Sequence, residues 1–190
     1  MKLWLVRHAQ PLIEAGICYG RLDMVADPDA TAECAQQLAV LLPANTHIIS
    51  SPLQRCEQLT QSLSRQRPDL AYKTDRRLQE MDFGQWEGQA WLNIGQSALE
   101  AWTNDFANHA AGGNGETVTA FMGRIASAFD ELQAQGNEDT VWITHAGVIR
   151  AMALLAQGIR HIERADQWPL DAPKYGQWRL LELSLRNGPI

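Results

Sequence analysis

Hydrophobic and polar positions fall into blocks along this chain. A short apolar run, Leu3-Trp4-Leu5-Val6, stops abruptly at Arg7-His8, and Thr140-Val141-Trp142-Ile143-Thr144 stops in the same way at His145. Continuous apolar runs of this length predict buried strands. His47-Ile48-Ile49-Ser50 and Leu70-Ala71-Tyr72-Lys73-Thr74 predict two more, and Gln177 to Leu183 predicts a last strand at or near a sheet edge. Helical patterns lie between them. One runs from Asp29 to Leu42, with Pro28 ahead, Asp27 or Asp29 as cap, and Leu38, Leu41 and Leu42 as its apolar face. A second runs from about Leu53 to Arg65, with Ser51 as N-cap and Pro52 as first helical residue. A third runs from Thr117 to about Gln135 with Phe121, Ile125, Phe129 and Leu132 on one face, and a fourth from Val148 to Gln157.

The segment from Trp91 to about Ala110 predicts one or two packed helices, with Trp91, Leu92, Leu99, Trp102 and Phe106 in the core. Ala111-Gly112-Gly113-Asn114-Gly115 predicts a flexible loop. Strands alternating with helices predict an α/β fold, a sheet covered by helices on both faces.

The length of 190 residues fits one domain, 1–190, and 45% hydrophobic residues with 20% charged can bury a sizeable core. The net charge of −6 argues against a nucleic-acid or anionic-membrane partner, although a local cluster of positive charge still suits a phosphate. No apolar stretch reaches a membrane span's roughly 18 residues, and only a few apolar residues separate Lys2 from Arg7. The chain therefore reads as cytoplasmic. Cys18, Cys34 and Cys56 are odd in number and lack metal-ligand spacing, so reduced thiols are expected, with neither Cys18 nor Cys56 favoured as a nucleophile.

The candidate chemistry begins at the strand ends. Ligands of open α/β sheets bind at the carboxyl ends of strands, so Arg7-His8 and His145 are either surface polar groups or parts of one site. Arg55 falls in the first turn of its helix, where a cation is unfavourable unless an anion shares the place. The segment Glu80-Met81-Asp82-Phe83-Gly84-Gln85-Trp86-Glu87-Gly88 sets carboxylates among aromatics. Desolvation there would raise a carboxyl pKa, as a general acid requires, and Glu80, Asp82 and Glu87 are all candidates. The long loop from Glu14 to Asp23 offers Tyr19 and Arg21 as leaving-group contacts, or as packing and solvated groups, and Trp86 is a third candidate for such a contact. Two guanidiniums and two imidazoles would make a compact dianion site. The sequence has no Walker-type loop and no clustered Asp/Glu set for magnesium. The nucleophile is then expected from a side chain, and a neutral imidazole serves through a phosphohistidine.

Taken together, Leu5-Val6-Arg7-His8, Ser50-Ser51-Pro52-Leu53-Gln54-Arg55, Glu80 and Thr144-His145-Ala146-Gly147-Val148-Ile149-Arg150 resemble the histidine phosphatase superfamily, in that family's order and over nearly the whole chain. The resemblance implies a phosphoglycerate mutase-like fold, a three-layer α/β/α sandwich whose mostly parallel sheet carries one antiparallel edge strand. It implies His8 as the phosphorylated nucleophile, Arg7, Arg55 and His145 as phosphoryl ligands, Glu80 as acid and base, and neither metal nor cofactor.

Gly113-Asn114-Gly115-Glu116-Thr117 is similar to the family's Gly-Glu-Ser or Gly-Glu-Thr segment. The segments Gly16 to Asp23 and Glu80 to Gly88 are similar to the α-ribazole phosphatases of cobalamin nucleotide-loop assembly. They imply α-ribazole 5′-phosphate as the small-molecule phosphomonoester hydrolysed; a broad-specificity small-molecule phosphatase is the alternative. A mutase is disfavoured because the chain is shorter than family mutases, and a non-catalytic phospholigand-binding protein because all the chemical residues are present. Two departures stand out. Ala9-Gln10-Pro11 replaces the common Gly-Glu-Thr or Gly-Glu-Ser, and Glu14 stands where many members place an asparagine phosphate ligand. A carboxylate there repels phosphate, so Glu14 is expected to turn away.

Overall fold

The computed structural model describes residues 1–136 and 138–183. Five strands form one sheet: β1 (Lys2–Arg7), β2 (His47–Ser50), β3 (Tyr72–Thr74), β4 (Thr140–Thr144) and β5 (Trp178–Glu182). Their spatial order is β3-β2-β4-β1-β5. The pairs β1·β4, β2·β4 and β2·β3 are parallel, and β5 runs antiparallel to β1 at the edge. Five α-helices accompany them: α1 (Pro28–Leu41), α2 (Gln54–Gln66), α3 (Gln96–Asn104), α4 (Val118–Gln135) and α5 (Ala146–Leu155). Among the described residues no helix is long and apolar enough to cross a membrane.

The two-residue period of a strand explains the layers. Leu3 and Leu5 of β1 join one core with Trp142 of β4, Phe121, Ile125 and Phe129 of α4, and Val148, Ile149 and Met152 of α5. Trp4 and Val6 join the opposite core with Val141, Ile143, Cys34, Ala35 and Leu38 of α1, and Leu59 and Leu63 of α2. Both central strands are therefore apolar at nearly every position, as the continuous runs require. Burying each large side chain of these cores contributes roughly 1.5–3 kcal/mol.

The cleft follows from the connections. Strands β1 and β4 lie side by side, with Arg7 opposite Thr144. The chain leaves β1 for helices on one face and leaves β4 for α5 on the other. Diverging connections at adjacent parallel strands open a crevice at their carboxyl ends.

Several local expectations change. Helix α2 starts at Gln54 with Leu53 at the cap and without a side-chain cap bond; the Ser51 hydroxyl has another partner, described below. Helix α1 is capped by Asp27, whose carboxylate accepts from the Ala30 N–H at 2.8 Å. It buries Thr31, Cys34, Ala35 and Leu38, while Leu41 stays exposed. Strand β3 is shorter than expected and exposed along its length, as its outer position allows. Helix α5 begins two residues early, at Ala146, and ends at Leu155. Between 91 and 110 lie a 3₁₀ turn (Trp91–Asn93) and α3, and Leu92 is 98% exposed rather than core.

The glycine-rich 111–115 segment is packed rather than loose. Ala111 and Gly112 are buried, and Gly112 adopts φ 58° in a single 3₁₀ turn. A Cβ on Gly112 would stand 2.2 Å from the Phe83 carbonyl oxygen, so glycine is what lets this turn press against residues 83–86.

Candidate active site

Strand register brings the two histidines together. His8 and His145 each directly follow paired residues of β1 and β4, and their rings lie 5.1 Å apart. Both are buried. The His8 Nδ1 lies 2.7 Å from the Ala9 carbonyl oxygen and donates its proton there. This fixes the tautomer that leaves Nε2 unprotonated, with a lone pair that can accept. Burial first, then the cations Arg55 and Arg7, push the His8 pKa well below its ordinary value. Desolvation and Arg55 do the same to His145. Both rings are therefore neutral at pH 7, and His8 meets the first requirement of a nucleophile.

Arg55 is fully buried, with its Nε–H donating to His8 Nε2 at 3.3 Å. Its Nη1 and Nη2 donate to the carbonyls of Leu22 and Gly20 at 3.0 and 2.6 Å. The arginine fork thus clamps the 20–22 loop, and its Nε–H is what faces His8. Arg7 at the end of β1 donates through Nη1 to the Pro173 carbonyl at 3.0 Å. His145 Nε2 lies 2.8 Å from the Ser51 hydroxyl. Ser51 Oγ also accepts from the Leu53 N–H at 3.4 Å, and Cys56 Sγ stands 3.5 Å from the same His145 nitrogen. The other ring nitrogen, Nδ1, is buried with no partner among the described residues. An unpartnered buried polar group costs about 1–3 kcal/mol unless a ligand satisfies it.

Glu80 is held on the cleft wall. One carboxylate oxygen accepts from the Met81 N–H and the other from the Gly147 N–H, each at 3.0 Å. A Cβ on Gly147 would lie 2.1 Å from that carboxylate, so the glycine makes the room Glu80 occupies. Arg124 supports the segment from behind. It donates to the carbonyls of Arg77, Gln79 and Glu80 and pairs with both oxygens of Glu116.

Of these groups Arg7, His8 and Glu80 open onto a cavity of about 390 Å³, while Arg55 and His145 are fully buried behind its lining. Arg7, His8, Tyr19 and Glu80 line its polar end, and Phe83, Trp91, Trp102, Phe106, Phe121 and Trp168 line its apolar walls. Thr103 and Arg150 add polar contacts.

The other candidates are placed elsewhere. Arg21 is outside this lining; its guanidinium faces Asp82 at 3.5 Å and Glu116 at 3.9 Å. Asp82 also accepts from the Gly84 N–H at 2.8 Å. Glu87 accepts from the backbone N–H groups of Arg21, Leu22 and Phe83 and so staples the loop. Of the three candidate carboxylates, Glu80 alone lines the cavity. Glu14 is exposed, and Ala9 is buried with its carbonyl on His8. All three thiols are free and buried, and desolvation pushes each to about 12, which leaves none as a thiolate at neutral pH.

Four contributions lay outside the sequence reading: the Ser51–His145 bond, the space at Gly147, Arg124 behind Glu80, and Tyr175 beside Arg7. Ser51-Pro52 gave the signal of a helix cap, which hid its partner across the sheet.

Residues 3–183 match the model of the histidine phosphatase superfamily, branch 1. The chain belongs to this superfamily. Phosphatase activity of the superfamily type agrees with the imidazole–guanidinium cluster and the opposing carboxylate. A Hydrogenobacter thermophilus protein that carries the provisional name phosphoserine phosphatase 2 is 27% identical over 162 residues, 83% of this chain and 79% of its own. A mycobacterial glucosyl-3-phosphoglycerate phosphatase structure is 25% identical with a TM-score of 0.69, covering 82% of this chain and 78% of its own. A structure from Thermus thermophilus is 27% identical with a TM-score of 0.71, covering 96% of this chain and 94% of its own.

Proposed function

We propose that this phosphatase hydrolyses α-ribazole 5′-phosphate to α-ribazole and phosphate through a phosphohistidine on His8. The observation that carries the substrate is the aromatic cavity beyond the phosphoryl end. Its volume of about 390 Å³ suits a ligand with a bicyclic ring. The leaving alcohol of α-ribazole 5′-phosphate carries a flat, apolar benzimidazole on a ribose. Ring faces and edges from Phe83, Trp91, Trp102 and Phe121 suit the first part; Arg150 and Thr103 suit hydroxyls of the second. A serine or glycerate leaving group would leave those walls unused.

The chemistry divides into two displacements. His8 Nε2 attacks phosphorus and the ester P–O bond breaks, while the Glu80 carboxylic acid passes its proton to the departing oxygen. Phosphorylation displaces the Arg55 Nε–H from the ring nitrogen, and that N–H then donates to a phosphoryl oxygen, as do Arg7 and the His145 ring, whose Nδ1 is otherwise unpartnered. In the second step Glu80 takes a proton from water, the water oxygen attacks phosphorus, and the P–N bond breaks. Free phosphate leaves, with His8 and the acid restored. Each step depends chiefly on donors placed beforehand around the equatorial oxygens.

A competition screen tests the substrate. Alpha-ribazole 5′-phosphate is measured beside nucleoside monophosphates, sugar phosphates, phosphoserine and phosphoglycerates. The expected result is a kcat/KM for α-ribazole 5′-phosphate at least about tenfold above the rest, the scale of one or two well-made apolar contacts. Comparable values across the set overturn the specific reading in favour of a broad-specificity phosphatase.

A further inference from the structure

The geometry points to Tyr175 as the positioning residue that aims the Arg7 guanidinium at the phosphoryl group. This rests on the reading that Arg7 holds that group. The Tyr175 ring lies against the guanidinium, 3.8 Å from its central carbon to the ring centroid. The described contacts of the Arg7 side chain are this ring and the Pro173 carbonyl at 3.0 Å. One bond and one stacked face define the plane of a planar fork, which is what a directed contact to phosphate oxygens requires.

The segment carrying the tyrosine is itself tied to the strand end. The Gly176 N–H donates to the carbonyls of Arg7 and His8 at 3.2 and 3.0 Å, and the Arg7 N–H donates to the Gln177 carbonyl at 2.9 Å. The Tyr175 ring also stands 5.6 Å from the His8 ring, so one side chain touches both charged and nucleophilic partners. Its hydroxyl meets the Tyr19 hydroxyl at 2.5 Å and joins the 169–177 segment to the loop that Arg55 clamps. Burial and that contact together raise the pKa of Tyr19, so it meets Tyr175 as a neutral phenol.

A second cavity explains why such a prop is needed. Arg7 lines both the catalytic cavity and another of about 510 Å³, whose wall includes Tyr175, Lys174 and Gln10. An arginine between two open spaces has room to swing away from the nucleophile. Tyr175 stands on the second cavity's side and blocks that motion.

The ring and the hydroxyl are separable by substitution. The probes are inorganic phosphate as an inhibitor and 4-nitrophenyl phosphate as substrate. Tyr175→Leu is expected to raise the phosphate inhibition constant about tenfold or more and to lower kcat/KM by about 10- to 100-fold. Tyr175→Phe keeps the face and is expected to recover most of that loss. In an Arg7→Leu background, Tyr175→Leu adds little, because the group it positions is gone.

Three results overturn the proposal. Equal impairment of the Leu and Phe variants assigns the effect to the Tyr19 bond. A Tyr175→Leu variant of lower thermal stability, with a phosphate constant within twofold of wild type, leaves the ring a purely structural role. Losses in Arg7→Leu and Tyr175→Leu that simply multiply show that the two side chains act independently. If Arg7→Leu alone leaves phosphate inhibition unchanged, the underlying reading of Arg7 fails first, and the two failures are told apart.

Discussion

The phosphoryl end of the cleft and its leaving-group end are built by different rules. At the first, all but Glu80 and Tyr19 sit at a strand end or in the first turn of a helix. Arg7 and His8 follow β1, His145 follows β4, Ser51 follows β2, and Arg55 opens α2. Backbone register alone sets Arg7 opposite Thr144 and so brings the two histidines within 5.1 Å. At the second end, rings from residues 83 to 168 pack on one another: Trp86 on Trp102, Trp102 on Phe106, Phe121 on Trp168, with centroids 5.0 to 6.1 Å apart. No ladder of hydrogen bonds fixes them. The first end therefore tolerates little change in chemistry but holds its placement, whereas the second keeps its chemistry and shifts its shape when a ring is lost.

The largest expected effect lies in the first end. His8→Ala removes the imidazole proposed to attack phosphorus while β1 and β4 stay paired. Activity should fall by at least about 10⁴-fold on every monoester, in keeping with removal of a covalent step. Phosphate release from a chromogenic ester and capture of labelled phosphoenzyme in wild type measure this directly. A variant that keeps a tenth of the wild-type rate would contradict the assignment of His8.

Gly147→Ala comes next, and it tests placement rather than chemistry. The added methyl lands 2.1 Å from the Glu80 carboxylate and must push it off the cleft wall. A general acid supplies about 10²–10⁴-fold, so kcat/KM on an alkyl monoester, which reports the first displacement alone, should drop by about 10²-fold or more. On 4-nitrophenyl phosphate, whose leaving group needs no proton, the loss in kcat/KM should be under about tenfold. Equal losses in kcat/KM on the two substrates would mean that Glu80 does not protonate the leaving oxygen.

The second end responds more gently. Trp102→Ala opens one wall of the cavity and should lower kcat/KM for α-ribazole 5′-phosphate by about 10- to 30-fold, carried mostly by KM. With phosphoserine the change should stay within about threefold. An equal fall on both esters would show that the aromatic wall serves the fold and not the leaving group.

This contrast also explains what was legible in the chain. Continuous apolar runs marked β1, β2 and β4, and the residues ending them are local in sequence, so His8 and His145 could be read directly. The choice of Glu80 over Asp82 and Glu87 came from the family resemblance. The structure then shows why the three differ: Asp82 faces Arg21, and Glu87 binds three backbone N–H groups. The aromatic wall was hidden because α3, the 111–113 turn and the 165–168 segment bring rings together through packing that no short spacing encodes. Arg21 lies outside the cavity for a related reason: the loop's direction is set by Glu87, 66 residues away.

The smallest expected effect is on stability, and it separates the ends once more, because the buried neutral histidines belong to the first alone. Burial and the Arg55 charge hold the pKa of both His8 and His145 below the ordinary 6.5. Unfolding releases each to that ordinary value. Well above pH 6.5 neither state binds a proton and the two rings add no pH dependence. As pH falls below 6.5 the unfolded chain takes up protons that the folded chain refuses, and stability declines until the folded pKa values are reached. Each histidine contributes a slope approaching about 1.4 kcal/mol per pH unit in that window. Urea midpoints at about pH 7.5, 6.5 and 5.5, with the denaturant slope unchanged, measure the decline. His8→Asn should remove about one proton's share of it and leave the midpoint at about pH 7.5 little altered, whereas Trp102→Phe should leave the pH dependence as it is. An unchanged decline in His8→Asn would mean that His8 is not held neutral, and its role as a ready nucleophile would lose its electrostatic basis.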